Sequence, residues 1–159
     1  MPEKISIIEV IQLMLAPGLM ISACGLLLLG MNNKYSLTVN RIRLLNEERR
    51  KVLRKIDDPE FSYQENIRFE SITMQLSKLA YRVKLVRNAV LFYTIAVALF
   101  VITSLLIGFG YLFEIARLNS LITSLFLLGM VSVLCGVIFA AYETWKGYEI
   151  VKYEVESDE

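Results

Sequence analysis

Long runs of residues without a charged side chain dominate the hydrophobic pattern of the chain. Three such runs cover residues 10–33, 88–113 and 118–142. A bilayer core is about 30 Å thick and a helix rises about 1.5 Å per residue, so each run is long enough to span a membrane as a helix. Because no water is present in the bilayer core to bond backbone N–H and C=O groups, a spanning segment must satisfy them internally, as a helix does. The pattern therefore predicts an all-α integral membrane protein with three transmembrane helices.

The segment between the first two runs has apolar residues in steps of three and four, which is typical of a coiled coil. The clearer of its two seams consists of Phe69, Ile72, Leu76, Leu79, Val83 and Val86. A less regular seam extends from Tyr35 to Ile56. Between them, Asp58 can cap the following helix and Pro59 suits its first turn. We therefore predict an antiparallel helical hairpin, forming a coiled-coil stalk between the first and second transmembrane helices.

These elements divide the chain into four segments. Residues 1–33 hold a short external N-terminus and transmembrane helix 1, and residues 34–87 form the cytoplasmic hairpin. Residues 88–142 contain transmembrane helices 2 and 3, and residues 143–159 form a cytoplasmic helix extension and tail.

The distribution of basic residues predicts the orientation of the chain. Residues 34–87 carry 13 of the 17 lysines and arginines, whereas the turn at 114–117 carries one. Because positive loops stay on the cytoplasmic side, we expect the N-terminus outside and the C-terminus in the cytoplasm. The predicted membrane-surface basic residues are Lys34, Arg41, Arg43, Arg82, Lys84 and Arg87. They can contact anionic headgroups, although the orientation rule alone accounts for their position.

The Ile-Ser-Ala-Cys sequence at residues 21–24 resembles a lipoprotein cleavage site. A signal peptide requires a positive start and a polar segment after the cleavage site. Here Glu3 and Glu9 offset Lys4 and the amino terminus, and leucines 26–29 continue the apolar run beyond Cys24. We therefore expect the first segment to remain in the protein as a membrane helix.

Small residues recur at helical spacing in two of the predicted spans. Gly129, Ser132, Gly136 and Ala140 mark a stripe on the third helix. The predicted pore-lining or helix-packing residues of the first helix are Gln12, Gly18, Ser22, Gly25, Asn32 and Asn33. Such stripes most often pack helices closely together. The alternative is a pore with a polar ring of Asn32 and Asn33 at its inner mouth and of Gln12 near its outer mouth.

Histidine and the recognised catalytic and phosphate-binding motifs are missing from the sequence. There is no histidine, which excludes histidine-dependent triads and metal clusters. No carboxylate pair stands at helical spacing within a span, and there is no GxGxxG or phosphate loop. Cys24 and Cys135 lie inside spans, where a thiol acts as a small packing group. We therefore expect no enzymatic activity, no cofactor and no metal ion. Glu9 and Glu143 flank their spans near opposite interfaces, so they need not be deeply buried.

Five basic residues occur within the seven residues 49–55. A nucleic-acid interpretation lacks a recognised fold or an aromatic stacking platform. A solvated and partly ion-paired helix face accounts for the same pattern. We therefore expect no nucleic-acid partner. From the other features of the sequence we expect membrane lipids and further copies of the chain as partners, with a cytosolic protein as a further candidate.

Four segments carry distinctive motifs, at residues 11–29, 40–45, 82–92 and 140–150. Their most specific features are Ala16-Pro17, the basic pair Arg41 and Arg43, the sequence Arg87-Asn88-Ala89, and Glu143. In these features the chain resembles, over nearly its whole length, a prokaryotic family of small three-span membrane proteins classified only as a domain of unknown function. The resemblance implies an inner-membrane location and the same three helices, and it implies no reaction.

Two functional hypotheses follow from these observations. The first is a homo-oligomer in which transmembrane helix 1 surrounds a central axis and forms an ion channel or small-solute pore. The second is a membrane-anchored interaction or scaffold module whose hairpin binds a cytosolic partner. Water access to the first-helix stripe distinguishes the two hypotheses.

Overall fold

Three long α-helices make up the described part of the chain. A computed structural model describes residues 6–54, 63–113 and 118–157, with side chains described to residue 147. Helix α1 covers Ile7–Leu53, α2 covers Tyr63–Leu112 and α3 covers Leu118–Ser157. Each is long and apolar enough to span a membrane, so the chain is a multi-pass membrane protein. The predicted all-helical fold is confirmed over these residues, and so are three helices with the length and apolar character of membrane spans. The predicted turn at Asp58 and Pro59 lies outside the described residues.

Helix α1 begins with a capping box. The Ser6 backbone N–H donates to Glu9 Oε2 at 2.9 Å, and the Ile8 N–H donates to Ser6 Oγ at 3.4 Å. These bonds satisfy amides that have no partner within the helix. The helix then continues without a break through Pro17 and past Asn33, the last residue of the charge-free run, to Leu53.

Contacts divide the chain into two units. Unit 1 comprises the described residues of Met1–Met31 and Asn88–Phe139. Its core is the fully buried set Cys24, Ala96 and Phe100. Partly buried apolar side chains from all three helices pack against this core: Met20, Ile21, Val97, Phe126 and Val133.

Helices α2 and α3 of unit 1 approach closely along the small-residue stripe of α3. A methyl group on Gly129 would lie 2.8 Å from the Phe100 ring, and one on Gly136 would lie 2.6 Å from the Tyr93 ring. The Ser132 hydroxyl donates to the Phe92 carbonyl oxygen at 2.8 Å. This stripe therefore serves helix packing, as small residues in membrane helices generally do.

Unit 2 comprises the described residues of Asn32–Arg87 and Ala140–Glu159. Leu45 from α1 and Ile72 and Leu76 from α2 form a buried cluster, with Ile42 and Leu79 packed against it. These residues belong to the two apolar seams recognised in the sequence. An ion pair between Arg68 and Glu48 links the same two helices, with Arg68 Nε donating to Glu48 Oε1 at 2.8 Å.

Candidate functional site

A buried carboxylate joins the three helices of unit 2. The Glu143 side chain on α3 is 1% exposed. Its Oε2 accepts from Lys34 Nζ of α1 at 3.0 Å. Its Oε1 accepts from Arg82 of α2, with Nη2 at 2.6 Å and Nε at 3.1 Å. We call Lys34, Arg82 and Glu143 the ion triad.

Neighbouring residues position the two cations of the ion triad. Lys34 Nζ also donates to Thr144 Oγ1 at 2.9 Å, and that hydroxyl donates to the Ala140 carbonyl oxygen at 3.0 Å. Gly147 makes room for the guanidinium, because a methyl group there would lie 2.9 Å from Arg82 Nη2. The Lys34 and Arg82 side chains remain 45% and 25% exposed.

The ion triad is suited to holding helices together. A carboxylate removed from water is costly unless it is paired and its oxygens accept hydrogen bonds. Both oxygens of Glu143 meet this condition, and each is bound by a different helix. The two cations exceed the one anion, so the triad carries a net charge of +1 at neutral pH.

Glu143 is deeply buried, although its position at the edge of its span did not require burial. The sequence places it beside an apolar run, and the two bases that pair with it, Lys34 and Arg82, are remote in the chain. One sequence signal was available, since Glu143 is the only acid between residues 118 and 148. The structure thus brings together two of the six predicted membrane-surface bases. The other four are exposed: Arg41, Arg43, Lys84 and Arg87.

The predicted stripe of α1 forms a second feature, and it makes little contact within the chain. Gly18 and Gly25 are exposed, and a methyl group on either would have no neighbouring atom within 4 Å. Ser22 is also exposed, and its hydroxyl donates to the Gly18 carbonyl of its own helix at 3.2 Å. Asn32 and Asn33 are exposed at the end of the run. In contrast, Gly129, Ser132 and Gly136 of α3 are buried.

The exposed stripe is offset from the buried side of α1. Pro17, Cys24 and Met31 are buried, and the stripe residues Gly18, Gly25 and Asn32 each follow one of them directly. Successive residues are about 100° apart around a helix, so the two rows lie on different faces. We call the row Gly18, Ser22, Gly25 and Asn32 the open face. Gln12 is exposed as well, but it lies about 120° from Gly18 around the helix.

A groove of about 540 Å³ lies between α1 and α2 in unit 2. Its lining is a mixture of charged, amide and apolar side chains: Arg41, Leu45, Glu48, Gln64, Ile67, Arg68, Ser71, Ile72 and Gln75. Across residues 6–54, 63–113 and 119–147, no three His, Cys, Asp or Glu side chains come together as a metal-binding group.

A comparison with protein families matches residues 14–152 to the family described as a protein of unknown function, DUF2721. Neither the curated proteins nor the solved structures include a match. The match extends over the open face, the groove and all three members of the ion triad.

Proposed function

This chain belongs to the DUF2721 family of proteins of unknown function, and from that premise we propose that it is a homo-oligomeric ion channel or small-solute pore lined by α1. The proposal also places it in the inner membrane with its N-terminus outside and its C-terminus in the cytoplasm. The family supplies no reaction, so the support comes from the chain's own residues.

The open face of α1 is the observation that carries the proposal. Gly18, Ser22, Gly25 and Asn32 are exposed although they belong to a helix that can span a membrane. Polar groups are costly against lipid tails, and intramembrane polar residues generally face a protein partner or water. Small residues also allow two helices to approach closely. In a ring of identical subunits, the open face would lie against the α1 helix of a second subunit and next to a water-filled central axis.

Residues 34–87 support the cytoplasmic part of the proposal. They carry 13 of the 17 lysines and arginines, which the positive-inside rule assigns to the cytoplasm. The packing of Leu45 against Ile72 and Leu76 supports an antiparallel coiled-coil hairpin.

Ion flux through liposomes that contain the purified protein tests the pore directly. We expect flux under at least one of four conditions: voltage, tension, a pH step or added divalent ions. Replacing Asn32 with Leu places an apolar side chain in the proposed inner ring and is expected to reduce that flux by at least tenfold. Absence of flux under all four conditions would overturn the proposal.

Water access to α1 tests the lining independently of conduction. Cysteines at Ser22, Gly25 and Asn32 are expected to react with a membrane-impermeant thiol reagent. A cysteine at Ala23 is the matched control. Ala23 is exposed and adjacent to Ser22 along the helix, but it lies about 140° from Gly18 around the helix axis. The unsubstituted chain, with buried Cys24 and half-buried Cys135, gives the background. Equal reactivity at Ala23 and on the open face would count against a pore.

The groove in unit 2 favours a second candidate function, a membrane-anchored interaction module. Its mixed lining, with Arg41, Glu48 and Arg68 beside Leu45 and Ile72, has the composition of a surface that binds a polar protein segment. This function requires no water on the open face and no oligomer. A monomer with an unreactive open face would therefore favour the interaction module over the pore.

A further inference from the structure

We propose that the ion triad binds the phosphate of an anionic phospholipid, with Lys34 and Arg82 as the two ligating cations and Glu143 as the residue that holds them together. Both cations are bound to the same carboxylate, one on each oxygen. Their charged groups are thus held near each other by one anchor that is itself buried. This inference does not depend on the pore, since it concerns a single chain.

The cations have donors left for a ligand. The ammonium of Lys34 has three N–H groups and gives one to Glu143 and one to Thr144. The guanidinium of Arg82 has five and gives two to Glu143 Oε1. Both side chains are partly exposed, and the triad keeps a net positive charge. A phosphate oxygen is the natural acceptor for such a pair.

The surroundings of the triad favour an anionic ligand. The stretches nearest the charge-free runs, residues 34–46, 71–87 and 140–147, hold eight bases and one acid, a net charge of 8 − 1 = +7. The other stretches of unit 2 with described side chains, 47–54 and 63–70, hold five bases and four acids, a net charge of 5 − 4 = +1. The excess positive charge is therefore concentrated where the helices meet the membrane surface, and there it attracts anionic lipids.

The depth of the triad selects a lipid headgroup over other phosphates. Lys34 directly follows the first charge-free run, and Glu143 directly follows the third. Arg82 lies six residues before Asn88, the first residue of the second charge-free run, which is a rise of about 9 Å along the helix. The long arginine side chain can cover part of that distance. Trp145, next to Thr144, is 70% exposed, as expected for an aromatic residue in the interfacial layer. All of these positions correspond to the headgroup layer.

Native mass spectrometry of the full-length protein in detergent tests the site. The probe is palmitoyl-oleoyl phosphatidylglycerol, compared with the phosphatidylcholine of the same chains. We expect the wild-type chain to retain more phosphatidylglycerol than phosphatidylcholine. Lys34→Gln is expected to weaken the retention of phosphatidylglycerol about fivefold, the effect of losing one basic residue at a membrane surface. Lys34→Arg is expected to restore it.

Matched controls separate the site from general charge attraction. Lys51→Gln removes an exposed lysine from α1 outside the triad and is expected to leave retention unchanged. Only variants that circular dichroism finds to be as helical as the wild type are compared. Equal effects of Lys34→Gln and Lys51→Gln, or equal retention of both lipids, would overturn the proposal. Displacement of the lipid by millimolar inorganic phosphate would also overturn it, because the site would then recognise free phosphate.

Discussion

The Glu143 side chain is buried and held by side chains from two other helices. It is 1% exposed and accepts three hydrogen bonds from Lys34 and Arg82. Removing one partner from a buried ion pair is costly, because the remaining charges lose their counter-ion while they stay partly desolvated. An exposed ion pair contributes far less, since water solvates its members whether or not they are paired. Unit 2 contains an example of each, so the two situations can be compared in one protein.

Glu143→Gln is expected to destabilise the protein strongly. The amide leaves Lys34 and Arg82 without a counter-charge, at a cost of about 3 kcal/mol. Thermal unfolding in detergent, followed by circular dichroism, measures the loss. Glu48→Gln is the control, because its partner Arg68 is 67% exposed and less than about 1 kcal/mol should be lost. Equal changes in the two variants would show that the triad does not stabilise the fold.

Gly136→Ala is also expected to destabilise the protein, although alanine favours helix formation. The added methyl group would lie 2.6 Å from the ring of Tyr93, whose side chain is fully buried and cannot move aside easily. Overpacking of this kind costs about 1–3 kcal/mol. The control is Gly108→Ala, where no atom lies within 4 Å and stability should be unchanged or slightly higher. The same unfolding assay applies, and a stable Gly136→Ala variant would contradict the described contact between α2 and α3.

At the scale of the elements, the apolar seams of the sequence correspond to buried positions in α1 and α2. Thr38, Leu45 and Val52 are buried at intervals of seven residues. The same interval continues upstream to Met31 and Cys24, which no pattern in the sequence distinguishes from their neighbours. Inside a span nearly every residue is apolar, so hydrophobicity does not distinguish a packed position from a lipid-facing one. Periodicity is informative only where polar residues alternate with apolar ones.

The ion triad was outside the reach of sequence patterns for a different reason. Lys34, Arg82 and Glu143 lie on three different helices, so no spacing along the chain relates them. The two small-residue stripes show the same limit. Gly136 of α3 and Gly25 of α1 have similar sequence surroundings, yet only the first packs within the chain. Which stripe packs depends on the arrangement of the helices, and that arrangement is not a local property.

Ile72→Ala tests the packing of α1 against α2 in unit 2. Ile72 is 3% exposed and contacts the cluster with Leu45 and Leu76, so its truncation should leave a cavity and cost about 2–5 kcal/mol. Met74 is 55% exposed on the same helix, and Met74→Ala should have little effect. Hydrogen exchange of residues 42–54 and 63–79 reports the stability of this region specifically. Similar exchange in the two variants would contradict the buried cluster.

At the scale of the whole molecule, α1 has two rows of residues with different surroundings. The row of Pro17, Cys24 and Met31 is buried within the chain, whereas the open face remains exposed. A membrane helix with an exposed row of glycine, serine and asparagine is well suited to contact with another copy of itself. The proposed pore and the proposed lipid site both use the chain as it is described. Only the pore requires further subunits.

The mass of the detergent-solubilised complex therefore tests the central claim most directly. One chain has a mass of 18.2 kDa, and we expect native mass spectrometry to find a defined multiple of this value. Gly25→Leu places a large side chain on the open face, where a Cβ atom has no neighbour within 4 Å, and should shift the complex towards the single-chain mass. Gly30→Leu, exposed and equally unobstructed but about 140° away, should leave the complex intact. A wild-type protein that is a monomer, or equal effects of the two leucines, would contradict assembly through the open face.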